Sequence, residues 1–280
     1  MGADNMNMNM NMNMNMNAPP SLSGLAQRIR FNTADFRKLI PNTSTDTGVP
    51  NPLPRFPPNW DPDLRTYIYL NDFVQVNYDS GAHSGWFEIL NDPLVIGNEP
   101  KDDDLDPQIL EILNAAPDRE DRFAEIIDQN DADGAIAYYL GMLMIDPGRH
   151  PNTYLLIRVA RRIGELVTMA LKGKHMHPRP SQLCPAIVPM IDPPMTPSFP
   201  AGHALQSRLI SLALEDARPG QRQKELLDYL ARRIGENRVI AGIHFNRDID
   251  AGVDVATKCY SLMQNSPIFN QLIVDARNEI

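Results

Sequence analysis

Three short polar patterns lie between residues 172 and 248 of the chain. They supply three cations, two imidazoles, one carboxylate and a glycine, namely Lys172 and Arg179, Gly202 and His203, and Arg238, His244 and Asp248. Cations can neutralise the oxygens of a tetrahedral or trigonal-bipyramidal oxyanion such as phosphate. One imidazole can attack the central atom while the other handles the proton of the leaving group, and a carboxylate can orient an imidazole. The patterns therefore predict that the fold brings these residues together as one oxyanion site.

The order and spacing of the patterns resemble the signature of the phosphatidic acid phosphatase type 2 (PAP2) superfamily. That superfamily includes bacterial class A acid phosphatases and vanadium haloperoxidases, and its signature is K-x6-R-P, then P-S-G-H, then S-R-x5-H-x3-D. Two positions depart from it, because Ala201 stands for the serine of the second motif and Asn237 for the serine of the third. In its motifs the chain is most similar to the acid phosphatases, which are soluble.

The resemblance implies an all-α fold, a helical bundle of the PAP2 and haloperoxidase type. It also implies residue roles. His244 would be the nucleophile that becomes phosphohistidine, Asp248 would orient it, and His203 would protonate the leaving group and then activate water. The groups implied to hold the phosphoryl oxygens are Lys172, Arg179, Arg238 and the Gly202 amide. No metal ion or other cofactor is expected, because protein cations supply the positive charge.

These roles predict hydrolysis of small phosphate monoesters or diphosphates. One alternative is a vanadium haloperoxidase, in which the same pocket holds vanadate as cofactor with His244 as its ligand. A second alternative is a non-catalytic phosphate-binding relative, since Ala201 lacks the hydroxyl that donates to the anion in the family pattern. We expect Ala201→Ser to tighten inhibition by phosphate or vanadate, unless water or another residue already supplies that donor.

Hydrophobic periodicity predicts helices over most of the chain after residue 104. The predicted ranges are 105–116, 119–129, 135–145, 151–172, 203–216, 222–236 and 246–264. Residues 238–242 are expected to form a link, and the segment 67–78 is left open between helix and strand. Only bundle-type packing follows from these patterns.

A loop with eight prolines covers residues 178–200. A long loop of this kind is usually functional, so we expect it to form the rim of the pocket. Its neighbours Phe199, Met176 and Met195 suggest a substrate with an apolar leaving group. His175 and His177 could bind a metal ion, but we expect exposed loop histidines because no third ligand is evident.

The N-terminal part of the chain has a different composition. Residues 5–17 alternate Asn and Met, and we expect residues 1–18 to be a disordered low-complexity tail that can be deleted without loss of stability or activity. Seven prolines in residues 41–62 exclude a regular helix and predict an extended arm over residues 19–62. The PAP2-like helical domain is then expected to cover residues 63–280.

The formal charge of −9 is concentrated in one segment. Residues 99–133 hold thirteen acidic and three basic residues, so the remainder of the chain is nearly neutral and can accept an anionic substrate. An acidic chain argues against a nucleic-acid partner. The sequence does not indicate an oligomeric state, and it leaves open whether Cys184 and Cys259 are free or form a bridge.

No apolar run is long enough to span a bilayer, and no leader peptide is visible. We therefore expect a soluble protein without a membrane span, more cytoplasmic than secreted.

Overall fold

The structure, a computed structural model, describes residues 61–78, 85–97 and 105–279. Its regular elements in these ranges are helices, with no strand among them, which confirms the predicted all-α class. The chain divides into two units, Met1–Pro57 and Pro58–Ile280, and the described residues belong to the second. The predicted tail and most of the predicted arm lie outside the described residues, and the domain boundaries stay a prediction.

The described part contains twelve α-helices. They are α1 (Pro62–Val76), α2 (Trp86–Leu90), α3 (Pro93–Ile96), α4 (Leu105–Ala115), α5 (Arg119–Asp128), α6 (Ala132–Leu143), α7 (Pro151–His175), α8 (Pro180–Leu183), α9 (Gly202–Ala217), α10 (Gln221–Ile240), α11 (Asn246–Met263) and α12 (Pro267–Arg277), with a short 3-10 turn at Ala116–Asp118.

Helix α9 lies at the centre of the bundle and packs along α7, α10 and α11. Its apolar face is fully buried, and small side chains let the neighbouring helices approach closely. At the crossing with α7, a β-carbon on Gly164 would lie 3.1 Å from the Leu209 side chain and 3.2 Å from that of Leu205. Glycine at this position therefore sets the close spacing of α7 and α9.

Helix α7 is the longest described helix and leads directly to the first motif. Pro151 occupies its first turn, where a missing N–H costs nothing. The helix extends one turn beyond the predicted end at residue 172, and it stops at Met176, whose φ of 50° is left-handed. Lys172 therefore lies in the last turn, where a cation interacts favourably with the helix dipole.

Several sequence-based boundaries are corrected by the structure. Residues 67–78 are largely helical, as part of α1, and the helices α2, α3 and α12 were not expected. The predicted link 238–242 is wrong for its first residues, because α10 continues to Ile240 and carries Arg238. Ile234, Val239 and Ile240 continue the buried face of α10, which keeps the helix going. The turn comes at Gly242, whose φ of 78° favours glycine.

Two further observations concern the chain as a whole. Cys184 and Cys259 are both free thiols. Across the described residues, no helix has both the length and the apolar character needed to cross a membrane.

Candidate active site

The third motif holds an imidazole against a carboxylate. His244 and Asp248 are four residues apart at the start of α11, and His244 Nδ1 lies 3.1 Å from Asp248 Oδ2. The same carboxylate oxygen accepts the Phe245 backbone N–H at 3.0 Å and the Ser198 hydroxyl. Because Nδ1 faces the carboxylate, Nε2 is the ring nitrogen left for a ligand or substrate. His244 Nε2 lies 3.4 Å from Arg179 Nη1.

The two members of this pair are held in different charge states. Burial lowers the pKa of His244 to about 3, more than the hydrogen bond to Asp248 raises it. Burial raises the pKa of Asp248. The hydrogen bonds from His244, Ser198 and the Phe245 amide together lower it by more, so the pKa of Asp248 lies below its usual value. At neutral pH the pair is therefore a neutral imidazole beside an ionised carboxylate. A neutral imidazole whose Nδ1 proton is held by a carboxylate presents a lone pair on Nε2.

Two cations from the first motif lie beside this pair. Lys172 Nζ donates to the Ser198 carbonyl at 2.9 Å and also to the Pro197 carbonyl. Arg179 is fixed by the Ile243 carbonyl at 2.9 Å and by the carbonyl and hydroxyl of Thr196. Both cations are buried and both are anchored by uncharged oxygens. The proline-rich loop is thereby attached to the end of α7 and to the turn before α11.

Arg238 and His203 meet at the end of α5. His203 Nε2 lies 2.9 Å from the Gln129 carbonyl, and Arg238 Nη1 donates to the same carbonyl at 3.3 Å. Arg238 Nη2 donates to the Ile126 carbonyl at 3.2 Å. Burial, and after it the charge of Arg238, lower the pKa of His203 well below its usual value. Both imidazoles of the site are therefore neutral in the anion-free protein at neutral pH.

The three cations, which we call the cation cluster (Lys172, Arg179 and Arg238), are strongly desolvated. Burial lowers the pKa of Lys172 to about 7, with a further contribution from the Arg179 charge. Burial also lowers the pKa of Arg179 and that of Arg238 to about 10. Within the described residues, none of the three forms an ion pair with a carboxylate. The cluster therefore holds positive charge that an added anion can neutralise.

The second motif places a helix start at the same site. Gly202 is the first residue of α9, and Ala201 before it donates its N–H to the Asp248 carbonyl at 2.8 Å. The first amides of a helix have no partner inside the helix, and the helix dipole favours an anion there. The seven predicted residues thus lie together, and we call them the motif site: Lys172, Arg179, Gly202, His203, Arg238, His244 and Asp248.

Curated proteins similar to this chain are acid phosphatases. The chain is 37% identical over 86 residues to a non-specific acid phosphatase of Salmonella typhi, which is 30% of this chain and 32% of that protein. It is 36% identical over 86 residues to the non-specific acid phosphatase of Salmonella typhimurium, again 30% and 32% of the two chains. It is 26% identical over 129 residues to that of Providencia stuartii, 45% and 51% of the two chains. The chain thus matches about a third of the length of the first two relatives.

Over the matched region the chain is similar to acid phosphatases, and the three motifs that the fold brings together resemble the PAP2 signature. No family model matches the chain.

A solved PAP2 structure is also similar to the chain. It is described as the first transmembrane PAP2 type phosphatidylglycerolphosphate phosphatase from Bacillus subtilis, with a TM-score of 0.38, 14% identity, and coverage of 72% of this chain and 94% of that one. We draw nothing about substrate or mechanism from so distant a likeness. The expectation of a soluble, cytoplasmic protein is contradicted: this structural neighbour is described as transmembrane, and no location is established for the chain itself. That expectation rests on the absence of an apolar run and a leader, which does not fix a location.

Several residues that support the motif site were not predicted from the sequence. Three groups contact the predicted residues from distant positions in the chain: the Ser198 hydroxyl bonds Asp248, the Thr196 hydroxyl bonds Arg179, and the Gln129 carbonyl bonds His203. Only Ser198 and Thr196 lie near a motif in the sequence. Asn237, one of the two departures from the family signature, donates to Gln129 Oε1 at 2.8 Å and to Glu125 at 3.1 Å. This residue therefore fastens α5, whose end contacts His203 and Arg238.

The rim of the motif site differs in part from the prediction. Phe199 is 2% exposed and packs edge-on against His175 at 5.2 Å, so it is a core residue and not a rim residue. Met195 is 96% exposed and Met176 is 67% exposed. Val188, in the same loop, is also exposed. Exposed apolar side chains therefore lie in and next to the loop that anchors Lys172 and Arg179.

The histidines of the first motif have protein partners. His175 Nε2 lies 2.8 Å from Asn91 Oδ1, and His177 Nε2 lies 3.1 Å from Arg247 Nη2. Over the described part of the chain, no three side chains of the types His, Cys, Asp or Glu are grouped so that they could hold a metal ion.

Proposed function

We propose that the chain hydrolyses phosphate monoesters or diphosphates through a phosphohistidine on His244. The observation that carries this proposal is the arrangement of a neutral, carboxylate-held imidazole beside three buried cations without carboxylate partners. The named activity of the similar acid phosphatases supports it. No metal ion is proposed to take part, because the cation cluster supplies the positive charge that phosphoryl transfer needs.

In the first step His244 Nε2 attacks the phosphorus and the bond from phosphorus to the leaving oxygen breaks. Asp248 holds the Nδ1 proton and stabilises the imidazolium character that develops on His244. A proton from His203 goes to the leaving oxygen, so the leaving group departs as an alcohol or, from a diphosphate, as a protonated phosphate. Because Nε2 of His203 faces the Gln129 carbonyl, Nδ1 is the nitrogen that would carry this proton.

In the second step His203, now neutral, accepts a proton from water. The water oxygen attacks phosphorus and the bond between phosphorus and His244 Nε2 breaks, which releases phosphate and restores the first state. His203 must be protonated before the first step, although its pKa is depressed in the anion-free protein. The negative charge of a bound substrate raises that pKa, so substrate binding itself would load the acid.

The cation cluster and the Gly202 amide would hold the equatorial oxygens of the transferring phosphoryl group. Arg179 and Arg238 are charged at neutral pH before the substrate arrives, and hydrogen bonds to backbone oxygens fix the positions of all three cations. Such preorganised groups stabilise a charged transition state without rearrangement during the reaction. The helix start at Gly202 adds backbone N–H groups to the same set.

We further propose that the leaving group has an apolar part, which would contact the exposed Met176, Met195 and Val188. A series of alkyl phosphates of increasing chain length tests this directly. We expect KM to fall as the chain lengthens, and we expect this trend to flatten in Met195→Ser. A KM that does not depend on chain length in the wild-type protein would contradict an apolar leaving group.

The function is tested by a broad phosphate-ester screen, with and without orthovanadate, and by bromide oxidation with peroxide and added vanadate. We expect phosphate release that vanadate inhibits. Bromide oxidation without phosphate release would identify the haloperoxidase instead, with vanadate held in the same site. Phosphate binding without either reaction would identify a non-catalytic relative.

A further inference from the structure

Thr168 lies beside the motif site but belongs to none of the three motifs. It is on α7, one turn before Lys172, and residues four apart share a helix face. Its side chain is 3% exposed and touches the start of α9. A β-carbon on Gly202 would lie 3.1 Å from Thr168 Cγ2 and 3.8 Å from Thr168 Oγ1. Thr168 therefore stands between the first cation and the helix start that carries the free amides.

The hydroxyl of Thr168 makes no hydrogen bond with the described residues. A threonine inside a helix commonly donates to the carbonyl one turn back, as exposed Thr257 does to the Val253 carbonyl at 3.0 Å. Buried Thr153 also has partners, at Glu279 and the Ala276 carbonyl. Because buried polar groups in native proteins are almost always hydrogen-bonded, an unpartnered hydroxyl at this place needs a cause.

Neither Ala201 of the second motif nor nearby Ser198 has a hydroxyl free for an anion. Ala201 has none, and its methyl group is fully buried in an apolar cluster with Ala204, Val239 and Phe245. Ser198 has a hydroxyl, but it donates to Asp248 Oδ2. The serine donor of the family pattern is therefore lost at position 201 and is not replaced by Ser198.

We propose that the Thr168 hydroxyl supplies this missing donor and binds an oxygen of the phosphoryl group. It would act with Lys172 on one side and the Gly202 amide on the other. The inference rests on the proposed function, since it requires an oxyanion in the motif site. Thr168 would then be a binding residue that comes from the helix before the first motif.

The test compares three variants with the wild-type protein. Thr168→Val removes the hydroxyl at nearly the same shape, Thr168→Ser keeps it, and Thr257→Val removes a helical hydroxyl far from the motif site. The measurements are the inhibition constant of orthovanadate and the melting temperature with and without inorganic phosphate. One hydrogen bond to a charged group corresponds to a change of about tenfold in the inhibition constant.

We expect Thr168→Val to raise the vanadate inhibition constant about tenfold, and Thr168→Ser and Thr257→Val to leave it near the wild-type value. Without phosphate, Thr168→Val should melt no lower than the wild-type protein, because its hydroxyl has no partner to lose. With phosphate, its gain in melting temperature should be smaller than that of the wild-type protein.

Three results would overturn the inference, and the first two leave the proposed function standing. If the wild-type protein hydrolyses phosphate esters and Thr168→Val has an unchanged inhibition constant, the role of Thr168 is wrong while the proposed function stands. The same holds if Thr168→Val melts lower without phosphate and keeps the full phosphate effect, because the hydroxyl is then structural. If the wild-type protein binds neither vanadate nor phosphate, the proposed function fails together with the inference.

Discussion

Two pairs of buried or half-buried cations in the described part of the chain have opposite surroundings. Arg158, on α7, is 8% exposed and forms ion pairs with Asp63 and Asp133. Arg233, on α10, forms an ion pair with Glu125. Lys172, on the same helix as Arg158, and Arg238, on the same helix as Arg233, contact backbone carbonyls instead. Each of these two helices thus carries an arginine that is paired with a carboxylate and a cation that has no carboxylate partner among the described residues.

The difference shows where the chain keeps charge for a ligand. A buried cation without a counter-charge destabilises the folded state, and removing one partner of a buried ion pair does the same. The paired arginines join α1, α5 and α6 to the bundle, so their charge serves the fold. The cation cluster keeps its charge at an energetic cost that an oxyanion would offset. The comparison therefore predicts opposite responses of the two groups to mutation and to phosphate.

The largest effect is expected from the nucleophile. His244→Ala should lower phosphate-ester turnover by ~10⁴-fold or more while the protein stays folded, since no other group replaces the attacking nitrogen. His150→Ala is the control, because His150 precedes α7 and bonds the Asp146 amide away from the motif site. Turnover and far-UV circular dichroism measure the two properties. Near-wild-type turnover in a folded His244→Ala protein would end the proposed mechanism.

The contrast between paired and unpaired cations is tested by Lys172→Met and Arg158→Met. Arg158→Met should lower the free energy of unfolding by roughly 2 kcal/mol, because two carboxylates lose their partner, and should keep the stabilisation by phosphate. Lys172→Met should change the phosphate-free stability little or raise it, and should lose most of the stabilisation by phosphate. Denaturant titrations with and without phosphate measure both. If the two variants respond alike, the distinction between the groups is wrong.

The depressed pKa of Lys172 predicts a pH dependence. Its pKa of about 7 lies below the unperturbed value of 10.5, so the unfolded chain binds the extra proton between these values. In this window the free energy of unfolding increases as the pH rises. Below pH 7 the folded state bears the full cost of burying the charged lysine.

An anion needs the charged lysine, so its affinity should fall as the pH rises above 7. Sulfate is a suitable probe because its own charge is constant there. We expect affinity to fall by up to ~10-fold per pH unit between about pH 7.5 and 9, and we expect this slope to be reduced in Lys172→Met. An identical slope in both proteins would assign the titration to another group.

The smallest effect is expected for the ion pairs of a more exposed arginine. The side chain of Arg208 is 19% exposed, against 9% for Arg158, and it pairs with Asp228 and Glu215 between α9 and α10. Arg208→Gln should cost at most ~1 kcal/mol of unfolding free energy and leave turnover unchanged, because such pairs are weak in water. Thermal unfolding at low and high salt measures it. A loss as large as that of Arg158→Met would remove the difference between inner and outer pairs.

The members of the motif site were predicted from the resemblance of three motifs to the PAP2 signature, and spacing along the chain relates only the residues within each motif. His244 and Asp248 are one helical turn apart, and the long apolar face of α7 delivers Lys172. The supporting contacts could not be predicted in this way. The Gln129 carbonyl reaches His203 across 74 positions, and no local pattern encodes such an approach. Thr168 is an intermediate case, since its place one turn before Lys172 is visible in the sequence but its unpartnered hydroxyl is not.

The fold shows the same division between local and tertiary information. Apolar periodicity predicted α7 and α9 well, because both bury one continuous face. It placed Arg238 in a link, although that residue lies in α10 and is fully buried. A charged residue in a buried helical turn breaks the apolar pattern, and only the contacts with α5 explain why it can be there.

The central claim is that the unpaired cation cluster and His244 form one oxyanion site. The most direct measurement is a crystal structure of the protein soaked with tungstate, whose anomalous signal locates the metal atom of the anion. The account predicts one peak whose oxygens contact Lys172, Arg179, Arg238 and the Gly202 amide, with His244 Nε2 facing the tungsten. A peak at another place, or an empty motif site at saturating tungstate, would contradict it.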